Sequence, residues 1–533
     1  MKNRFCAMLD VSRNGVLKVE KVKEFIDVIS KMGYNALMLY TEDTYEVKNE
    51  PLFGYLRGAY TASEIKEIDA YATQKGIELI PCIQTLAHLN GIFRWYEYAK
   101  INDTDDILLV GDERTYQLIE NMFLTLAENF SSRTVLVGLD EAHMVGRGKY
   151  RDINGNEPSY DVMCKHLDKV SKIAKKHGFE ILMWSDMFVR IANGGEYYAD
   201  KLVPESVAKR VPKNTVPVCW DYYHVKEEDY EKFFNLHGAF KEVWFAGGTW
   251  CWCGFLPCLN FALNTTRAAM NVCRKRKVNN IIMTLWGDDG RECSCFTSLP
   301  VLYYAIETYK GNTDIEKIKK GFKQITGEDF DAFMTLEHPN FYNESESGID
   351  NPTKYMLYND PFFGVFDFNV VGGEREFYQK AAAKLERAEK KSKAYRHIFR
   401  FEKDLCRALS VKCDLGVRTR KAYQEKDLDG LREIVKDYSL AIRYVKKFLA
   451  SFEEVWELEN KPNGFEVQQI RLGGLIQRLV YCKNKIVRYL DGKIEDIPEL
   501  ERALIDAYGL KNKKESGFAA LSQWILNATV NIV

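Results

Sequence analysis

Two adjacent carboxylates, Asp140 and Glu141, are the residues in this sequence best suited to chemistry, because they stand at the end of a short apolar run. The run at residues 136–139 is apolar throughout, a pattern typical of a strand that is buried on both faces. Charged groups are rarely buried without partners, so both carboxylates should emerge where the strand ends. In parallel α/β proteins the carboxyl ends of the strands form the functional face. Taken alone, an Asp-Glu pair here is more often the first turn of a helix, so the pair needs support from the rest of the chain.

Strand-like apolar runs alternate with amphipathic helical segments over the first 300 residues. A helical pattern closes at Gly33, and Thr61 with Glu64 resembles a capping box at the start of another helix. Eight such βα units in this length predict a closed (β/α)8 TIM barrel. A doubly wound open sheet is the alternative, but no glycine-rich phosphate loop follows the first run. The eight runs lie at residues 5–9, 36–39, 79–83, 135–139, 179–184, 216–220, 243–246 and 281–286.

The chain changes character after residue 311. We interpret residues 1–312 as a catalytic barrel, 313–372 as a connecting segment, and 373–533 as an α-helical bundle domain. No chemistry is evident in the helical part, which is expected to pack on the barrel or on another subunit. The apolar tail at 518–533 is ambiguous between helix and strand. Helices are predicted at residues 374–395, 399–425, 428–450, 465–490 and 498–508.

The composition argues against several classes of function. Lys and Arg number 75 against 76 Asp and Glu, which disfavours an extended nucleic-acid surface. No stretch approaches the roughly 18 apolar residues of a membrane span. The N-terminus shows no apolar signal segment and the 13 cysteines show no paired framework, so a cytoplasmic location is expected.

Five of the cysteines cluster in the sequence, which raises the question of a metal site. Structural zinc sites usually space their ligands C-x2–4-C, whereas the spacing here includes two C-x-C pairs, which also suit plain packing. We therefore predict neither a metal nor a cofactor. The five are Cys251, Cys253, Cys258, Cys293 and Cys295.

Tryptophans and polar residues follow most of the strand-like runs. Each tryptophan alone is more often a core residue than a ligand contact. Several at one rim point instead to a carbohydrate, because indole faces stack on sugar rings while carboxylates and Arg bind ring hydroxyls. The tryptophans near the predicted strand ends are Trp184, Trp220, Trp250, Trp252 and Trp286.

Together these residues resemble family 20 of the glycoside hydrolases, the β-N-acetylhexosaminidases, in a short form that begins directly with the barrel. The chain departs from the family pattern at Leu139, where glycine often precedes the dyad, and at Asp288, where the family often has glutamate. The matching pieces are residues 8–13, the segment ending in His88, and residues 138–141, 183–186 and 285–288.

The resemblance implies an exo-acting hydrolase that releases terminal non-reducing GlcNAc or GalNAc from a small oligosaccharide or glycoconjugate. It implies a retaining, substrate-assisted reaction through an oxazolinium intermediate. Glu141 would be the general acid and then the base, Asp140 would orient the 2-acetamido group, and His88 would support Asp140.

The resemblance also implies contacts along the rest of the sugar ring. Arg13 would hold the 3- and 4-hydroxyls and Asp288 the 4- and 6-hydroxyls, while Tyr222 would donate to the acetamido oxygen. An acidic position after the second strand is fitted by both Glu42 and Asp43 and stays open. The aromatic box would be formed by Trp184, Trp286 and one of Trp250 or Trp252.

Neighbouring carboxylates at one strand end suit that mechanism, and two rival functions stay open. Retaining enzymes with two protein carboxylates hold them about 5 Å apart across the scissile bond, which neighbours on one strand do not easily supply. One rival is nevertheless a retaining glycosidase with a protein nucleophile, and the other is a non-catalytic sugar-binding protein. The choice between gluco and galacto sugars and the oligomeric state, including a homo-oligomer, stay open. The nucleophile candidates are Asp186, Asp221, Asp288 and Asp289.

Overall fold

The computed structural model describes residues 3–343 and 351–506, and its centre is a closed barrel of eight parallel strands. Strands that follow one another in the chain are neighbours in the barrel, and the eighth closes on the first, with Phe5 opposite Ile281. The predicted (β/α)8 barrel is confirmed. In chain order, β1 to β8 are Arg4–Asp10, Ala36–Tyr40, Glu78–Cys82, Thr134–Leu136, Glu180–Trp184, Thr215–Trp220, Trp244–Gly248 and Asn280–Leu285.

Helices cover the outside of the barrel. The first ends at Gly33, whose φ of 106° is a left-handed conformation that glycine adopts without strain. The predicted capping box is present, since Thr61 and Glu64 each bond the other's backbone N–H. The longer barrel helices are Val19–Met32, Ala62–Gln74, Glu113–Asn129, Ser159–Lys176, Asp186–Ala192, Glu227–Leu236, Leu259–Arg276 and Leu299–Tyr309, and the shorter ones are Asn90–Phe93, Tyr96–Ala99, Lys149–Asn154, Glu205–Ala208, Asp288–Arg291 and the 3-10 turn Cys295–Ser298.

The interior of the barrel is a packed apolar cluster, separate from the larger core between strands and helices. Small and medium side chains such as Met8, Ala36 and Ile80 fill it, together with Trp184 and Trp244. Side chains that alternate along each strand must supply this filling, as expected for an eight-stranded barrel. The barrel therefore has a solid floor beneath its carboxyl end.

Strand β4 is shorter than predicted, because it ends at Leu136 and not at residue 139. Gly138 and Leu139 have φ of 77° and 71°, and Glu141 has 51°, so the backbone leaves the extended conformation before the dyad. A Cβ on Gly138 would collide with the side chain of Gln84, which fixes glycine there. The two carboxylates thus stand on a kinked loop.

A small hairpin that the sequence analysis missed lies between β3 and β4. Its strands are Asn102–Thr104 and Ile107–Leu108, and the polar first strand carries no apolar alternation that would reveal it. Asp103 is buried and accepts backbone N–H bonds from Gly146 (3.0 Å) and Tyr150 (2.7 Å). The hairpin therefore anchors the loop that follows the dyad.

The described residues after the barrel are helical. The prediction of one helix at 399–425 is wrong, because the chain breaks near Cys413 into two helices. The helix predicted at 428–450 continues to Glu459, and the one predicted at 374–395 ends at Glu389. The helices are Ile315–Thr326, Phe330–Phe333, Pro352–Tyr358, Glu374–Glu389, Arg396–Lys412, Leu415–Gln424, Leu428–Glu459, Phe465–Leu490 and Pro498–Glu501, with 3-10 turns at His338–Asn343 and Asp367–Asn369.

The tail at 518–533, for which helix and strand were both considered, lies outside the described residues, and the domain boundaries at 312 and 372 stay predictions. Across residues 3–343 and 351–506, no helix combines the length and apolar character needed to cross a membrane.

Candidate active site

One pocket opens at the carboxyl ends of the barrel strands, and nine of the ten side chains predicted to act there line it. Trp220 and Tyr223 complete the lining. The strand ends bring together residues that are far apart in the sequence, as the barrel topology requires. The nine predicted residues are Arg13, His88, Asp140, Glu141, Trp184, Tyr222, Trp252, Trp286 and Asp288.

Asp140 is held at both carboxylate oxygens. Oδ1 accepts a hydrogen bond from Gln84 Nε2 at 2.9 Å, and Oδ2 lies 3.2 Å from His88 Nε2. Burial alone would raise the pKa of Asp140, but the charge of His88 and the hydrogen bond from Gln84 hold the pKa below its usual value. Asp140 is therefore an ionised carboxylate with a fixed orientation.

His88 carries the positive charge of this corner. Burial opposes that charge, but Asp140 outweighs burial and raises the pKa of His88 to about 10. The imidazolium also lies 3.7 Å from Glu141, and its Nδ1 is 3.9 Å from Asp106. His88 Nε2 lies at ion-pair distance from Asp140, but the direction of its N–H does not meet the geometry of a hydrogen bond. The contact with Asp140 is therefore mainly one of charge.

Glu141 is presented differently from its neighbour. Its side chain is 45% exposed, against 11% for Asp140. Its backbone N–H donates to Asp186 Oδ2 at 3.0 Å, which holds the left-handed turn in place. Asp186 is fully buried, and burial together with the charge of Asp140 raises its pKa to about 7. One carboxylate of the dyad is thus fixed and the other reaches into the pocket.

The opposite end of the pocket is built around Arg13. Its guanidinium lies 2.8 Å from Asp288, 3.0 Å from Asp10 and 3.3 Å from Glu42, and it stacks 5.4 Å from the ring centroid of Trp286. Burial raises the pKa of Glu42 to about 7 and that of Asp288 to about 6, against the opposing charge of Arg13. Of this polar cluster, Arg13 and Asp288 line the pocket, where they are suited to binding hydroxyl groups.

Of the two acidic residues that follow β2, Glu42 is the one that contacts Arg13. Asp43, the other residue that fitted the pattern, pairs instead with Arg57 at 3.2 Å. Glu42 accepts a hydrogen bond from Tyr40 Oη at 3.0 Å, and the same hydroxyl accepts one from Gln84 at 2.9 Å. Gln84 thus connects the Arg13 cluster to Asp140.

Gln84 and Tyr40 are the residues that the sequence analysis missed. Gln84 lies two residues after the end of β3, directly after the apolar run at 79–83, and is completely buried. The signal that could have identified it is the one used elsewhere, a polar residue at the carboxyl end of an apolar strand. Tyr40 ends β2 as part of an apolar run, so only its position in the fold reveals it.

An aromatic wall encloses the pocket between these two polar ends. The Trp184 and Trp286 rings are 6.1 Å apart, and Tyr222 stacks on Trp220 at 5.2 Å and meets Trp252 edge-on at 5.6 Å. Such rings offer flat apolar faces to a ligand.

Trp250, one of the two tryptophans considered for the aromatic box after the seventh strand, does not line the pocket. It is completely buried and stacks behind Trp252, with ring centroids 4.6 Å apart. Its Nε1–H donates to the Tyr222 carbonyl oxygen at 2.7 Å, so the indole nitrogen is satisfied within the protein. Of the two tryptophans after β7, Trp252 is the one that faces the pocket.

The clustered cysteines are part of the packing. All thirteen cysteines are buried and free. In the portion of the chain that the structure describes, no three His, Cys, Asp or Glu residues are grouped to hold a metal ion.

Comparison with known proteins gives matches in both parts of the chain. The profile "Glycosyl hydrolase family 20, catalytic domain" matches residues 5–233, and "Glycoside Hydrolase 20C C-terminal domain" matches residues 328–519. Hexosaminidase D of Bos taurus is 28% identical over 214 residues, which are 38% of this chain and 59% of that protein. Hexosaminidase D of Homo sapiens is 24% identical over 214 residues, 38% of this chain and 42% of that protein. The match thus spans about half the length of these relatives.

A solved structure resembles the chain more distantly. The GH20 β-N-acetylhexosaminidase from Streptomyces coelicolor A3(2) is 17% identical, with a TM-score of 0.45 over 61% of this chain and 69% of that chain.

Proposed function

Because this chain belongs to glycoside hydrolase family 20, we propose that it is an exo-acting β-N-acetylhexosaminidase that works by substrate-assisted, retaining hydrolysis. The proposal rests on one observation, that two adjacent carboxylates have different environments. Asp140 is oriented through both oxygens and held ionised, whereas Glu141 is exposed to the pocket. The substrate would carry a terminal β-linked GlcNAc or GalNAc on a small oligosaccharide or glycoconjugate.

The two carboxylates have separate tasks in this reaction. Asp140 accepts the acetamido N–H, which turns the acetamido oxygen toward the anomeric carbon and stabilises the positive charge that develops on the group. Glu141 gives its proton to the glycosidic oxygen as that bond breaks, and an oxazolinium ion forms. Glu141 then removes a proton from the water that opens the ring, and the original anomeric configuration is restored.

A protein nucleophile is less consistent with the pocket. Asp186 and Asp221 are buried, with 0% and 1% of the residue exposed, and neither lines the pocket. Asp288 does line it, but it pairs with Arg13 at 2.8 Å. The side chain of Asp289 lies outside the described part of the structure. Substrate participation needs none of these groups.

The remainder of the pocket suits the rest of the sugar. We assign Arg13 and Asp288 to the ring hydroxyls, and Trp184, Trp252 and Trp286 to the apolar faces of the ring and the acetamido methyl. Tyr222 is assigned to the acetamido oxygen. The cytoplasmic location predicted from the sequence stays a prediction.

The first test is hydrolysis of 4-nitrophenyl β-GlcNAc and β-GalNAc by the wild type and by Asp140→Asn and Glu141→Gln. Loss of a positioned acid–base group lowers rates by about 10²- to 10⁴-fold, so Glu141→Gln should be impaired to that degree. Asp140→Asn removes a charge that stabilises the transition state, which should lower the rate by about 10²- to 10³-fold. Glu113→Gln is the matched control, because Glu113 is an exposed acid in the first turn of a helix outside the pocket.

The second test asks which atom attacks the anomeric carbon. Fluorine atoms on the acetamido methyl withdraw electrons from the acetamido oxygen, so kcat should fall with each fluorine if that oxygen is the nucleophile. A substrate with a 2-hydroxyl in place of the acetamido group should be inert. Full activity on the 2-hydroxyl substrate, or rates that do not respond to fluorine, would favour a protein nucleophile.

A further inference from the structure

The turn between the two longest described helices lies against the loop that follows β1. We call residues 459–464 the inter-helix turn. The Lys18 N–H donates to the Glu459 carbonyl oxygen at 2.9 Å, and the Lys461 N–H donates to the Val16 carbonyl oxygen at 2.7 Å. The two segments therefore pair like short antiparallel strands, and the C-terminal helices fix the course of the β1 loop.

The helix after the inter-helix turn holds the loop that follows β8. Gln468 Nε2 donates to the Gly290 carbonyl oxygen at 3.1 Å. Arg471 lies 3.1 Å from Glu292, and the buried Lys354 lies 2.6 Å from the same carboxylate. Glu292 itself is only 2% exposed, so this part of the loop is fixed by charges that come from outside the barrel.

The two loops are also joined to each other. The Gly287 N–H donates to the Asp10 carboxylate at 2.8 Å, and Arg291 donates to the Asp10 carbonyl oxygen. Arg13 lies between Asp10 and the residues paired with the inter-helix turn, and Asp288 lies between Gly287 and Arg291. Arg13 and Asp288 therefore lie on two loops, after β1 and after β8, that both contact the C-terminal helices.

We propose that the inter-helix turn and the helix after it position Arg13 and Asp288, so that the C-terminal helices belong to the apparatus that binds the ring hydroxyls. This inference rests on the proposed function, since it concerns the same pocket. Arg471 is a positioning residue in this scheme, because it reaches Glu292 in the β8 loop and does not line the pocket. A helical part that only stabilised the barrel would affect all substrates alike.

The experiment compares kcat/KM of Arg471→Met on 4-nitrophenyl β-GlcNAc and on its 4-deoxy analogue, because the 4-hydroxyl is assigned to both Arg13 and Asp288. Mutations at residues that act on a site through intervening contacts typically change the coupling energy by an amount that would lower kcat/KM for the parent substrate by about 2- to 30-fold. The fall should be smaller on the 4-deoxy analogue, and Arg471→Lys should restore part of the loss. Arg400→Met is the matched control, because Arg400 pairs with Glu454 within the helices at 2.8 Å.

The outcomes separate this inference from the proposed function. A wild type that hydrolyses no N-acetylhexosaminide would overturn the proposed function itself. An active wild type, with equal falls on both substrates in Arg471→Met, would overturn the positioning role alone. If Arg471→Met does not fold, the same comparison is made with Gln468→Met, which removes only the neutral hydrogen bond to the Gly290 carbonyl oxygen.

Discussion

Replacing Gln84 with methionine should impair catalysis although Gln84 is not assigned to touch the substrate. The change keeps the length of the side chain and removes the hydrogen bonds from Nε2 to Asp140 and to the Tyr40 hydroxyl, each 2.9 Å long. Asp140 would keep only the contact with His88 at its other oxygen. One of the two constraints on its orientation, and one of the groups that favour its ionised form, would be lost.

The size of the effect follows from the charge on the acceptor. A hydrogen bond to an ionised group contributes about 1.5–3 kcal/mol. If that contribution is realised in the transition state, kcat/KM falls by roughly 10- to 150-fold, since about 1.4 kcal/mol corresponds to tenfold in rate. Gln84 is among the groups that lower the pKa of Asp140, so its loss raises that pKa. The acid limb of the pH profile should therefore move to higher pH.

The assay is the pH dependence of kcat/KM on 4-nitrophenyl β-GlcNAc, because this parameter reports groups of the free enzyme. Gln117→Met is the control, since Gln117 is exposed and donates only to Asn121 on its own helix. If Gln84→Met kept the wild-type kcat/KM and the wild-type acid limb, the argument that Gln84 orients Asp140 would be refuted.

Three more changes test the site and its support. His88→Gln should destabilise the protein most below pH 6.5, the ordinary pKa of histidine, and progressively less as pH rises through about 10, the raised pKa that Asp140 causes; urea unfolding at several pH values measures this. Gly138→Ala should lower the free energy of unfolding by at least about 1–2 kcal/mol, because alanine is strained in the left-handed backbone conformation of this position. The kcat should fall as well, because the new methyl group displaces Gln84. Lys354→Met should lower the free energy of unfolding by about 3–5 kcal/mol, because it removes one partner of a buried ion pair; a denaturation curve that matches the wild type would contradict this.

The barrel was predictable because its signals are local. Apolar runs of four to six residues, each followed by polar groups, marked the strands, and Gly33 and Thr61 marked helix ends through backbone requirements that few residues meet. The same rule predicted a pocket at the carboxyl ends, where most of the expected side chains do meet. The break near Cys413 has no such signal, because apolar spacing continues through it.

What the sequence could not show is which members of a cluster face the pocket. Trp250 and Trp252 are both tryptophans and lie two residues apart. Only the conformation of the turn after β7 places Trp252 in the wall of the pocket and Trp250 behind it. Which of Glu42 and Asp43 contacts Arg13 is decided similarly, by the positive φ of 43° at Glu42 and by Arg57, which pairs with Asp43. Such choices depend on backbone angles in loops, which neighbours distant in the chain determine.

Trp184 belongs both to the packed interior of the barrel and to the wall of the pocket. The packing of the barrel therefore determines how deep the pocket is. A larger terminal sugar could be admitted from below only by repacking the strands themselves. Tyr223 stands instead at the rim on a loop and is 40% exposed. Altered selectivity should therefore arise at the mouth, where variants cost little stability, and engineering for new glycosides should begin there.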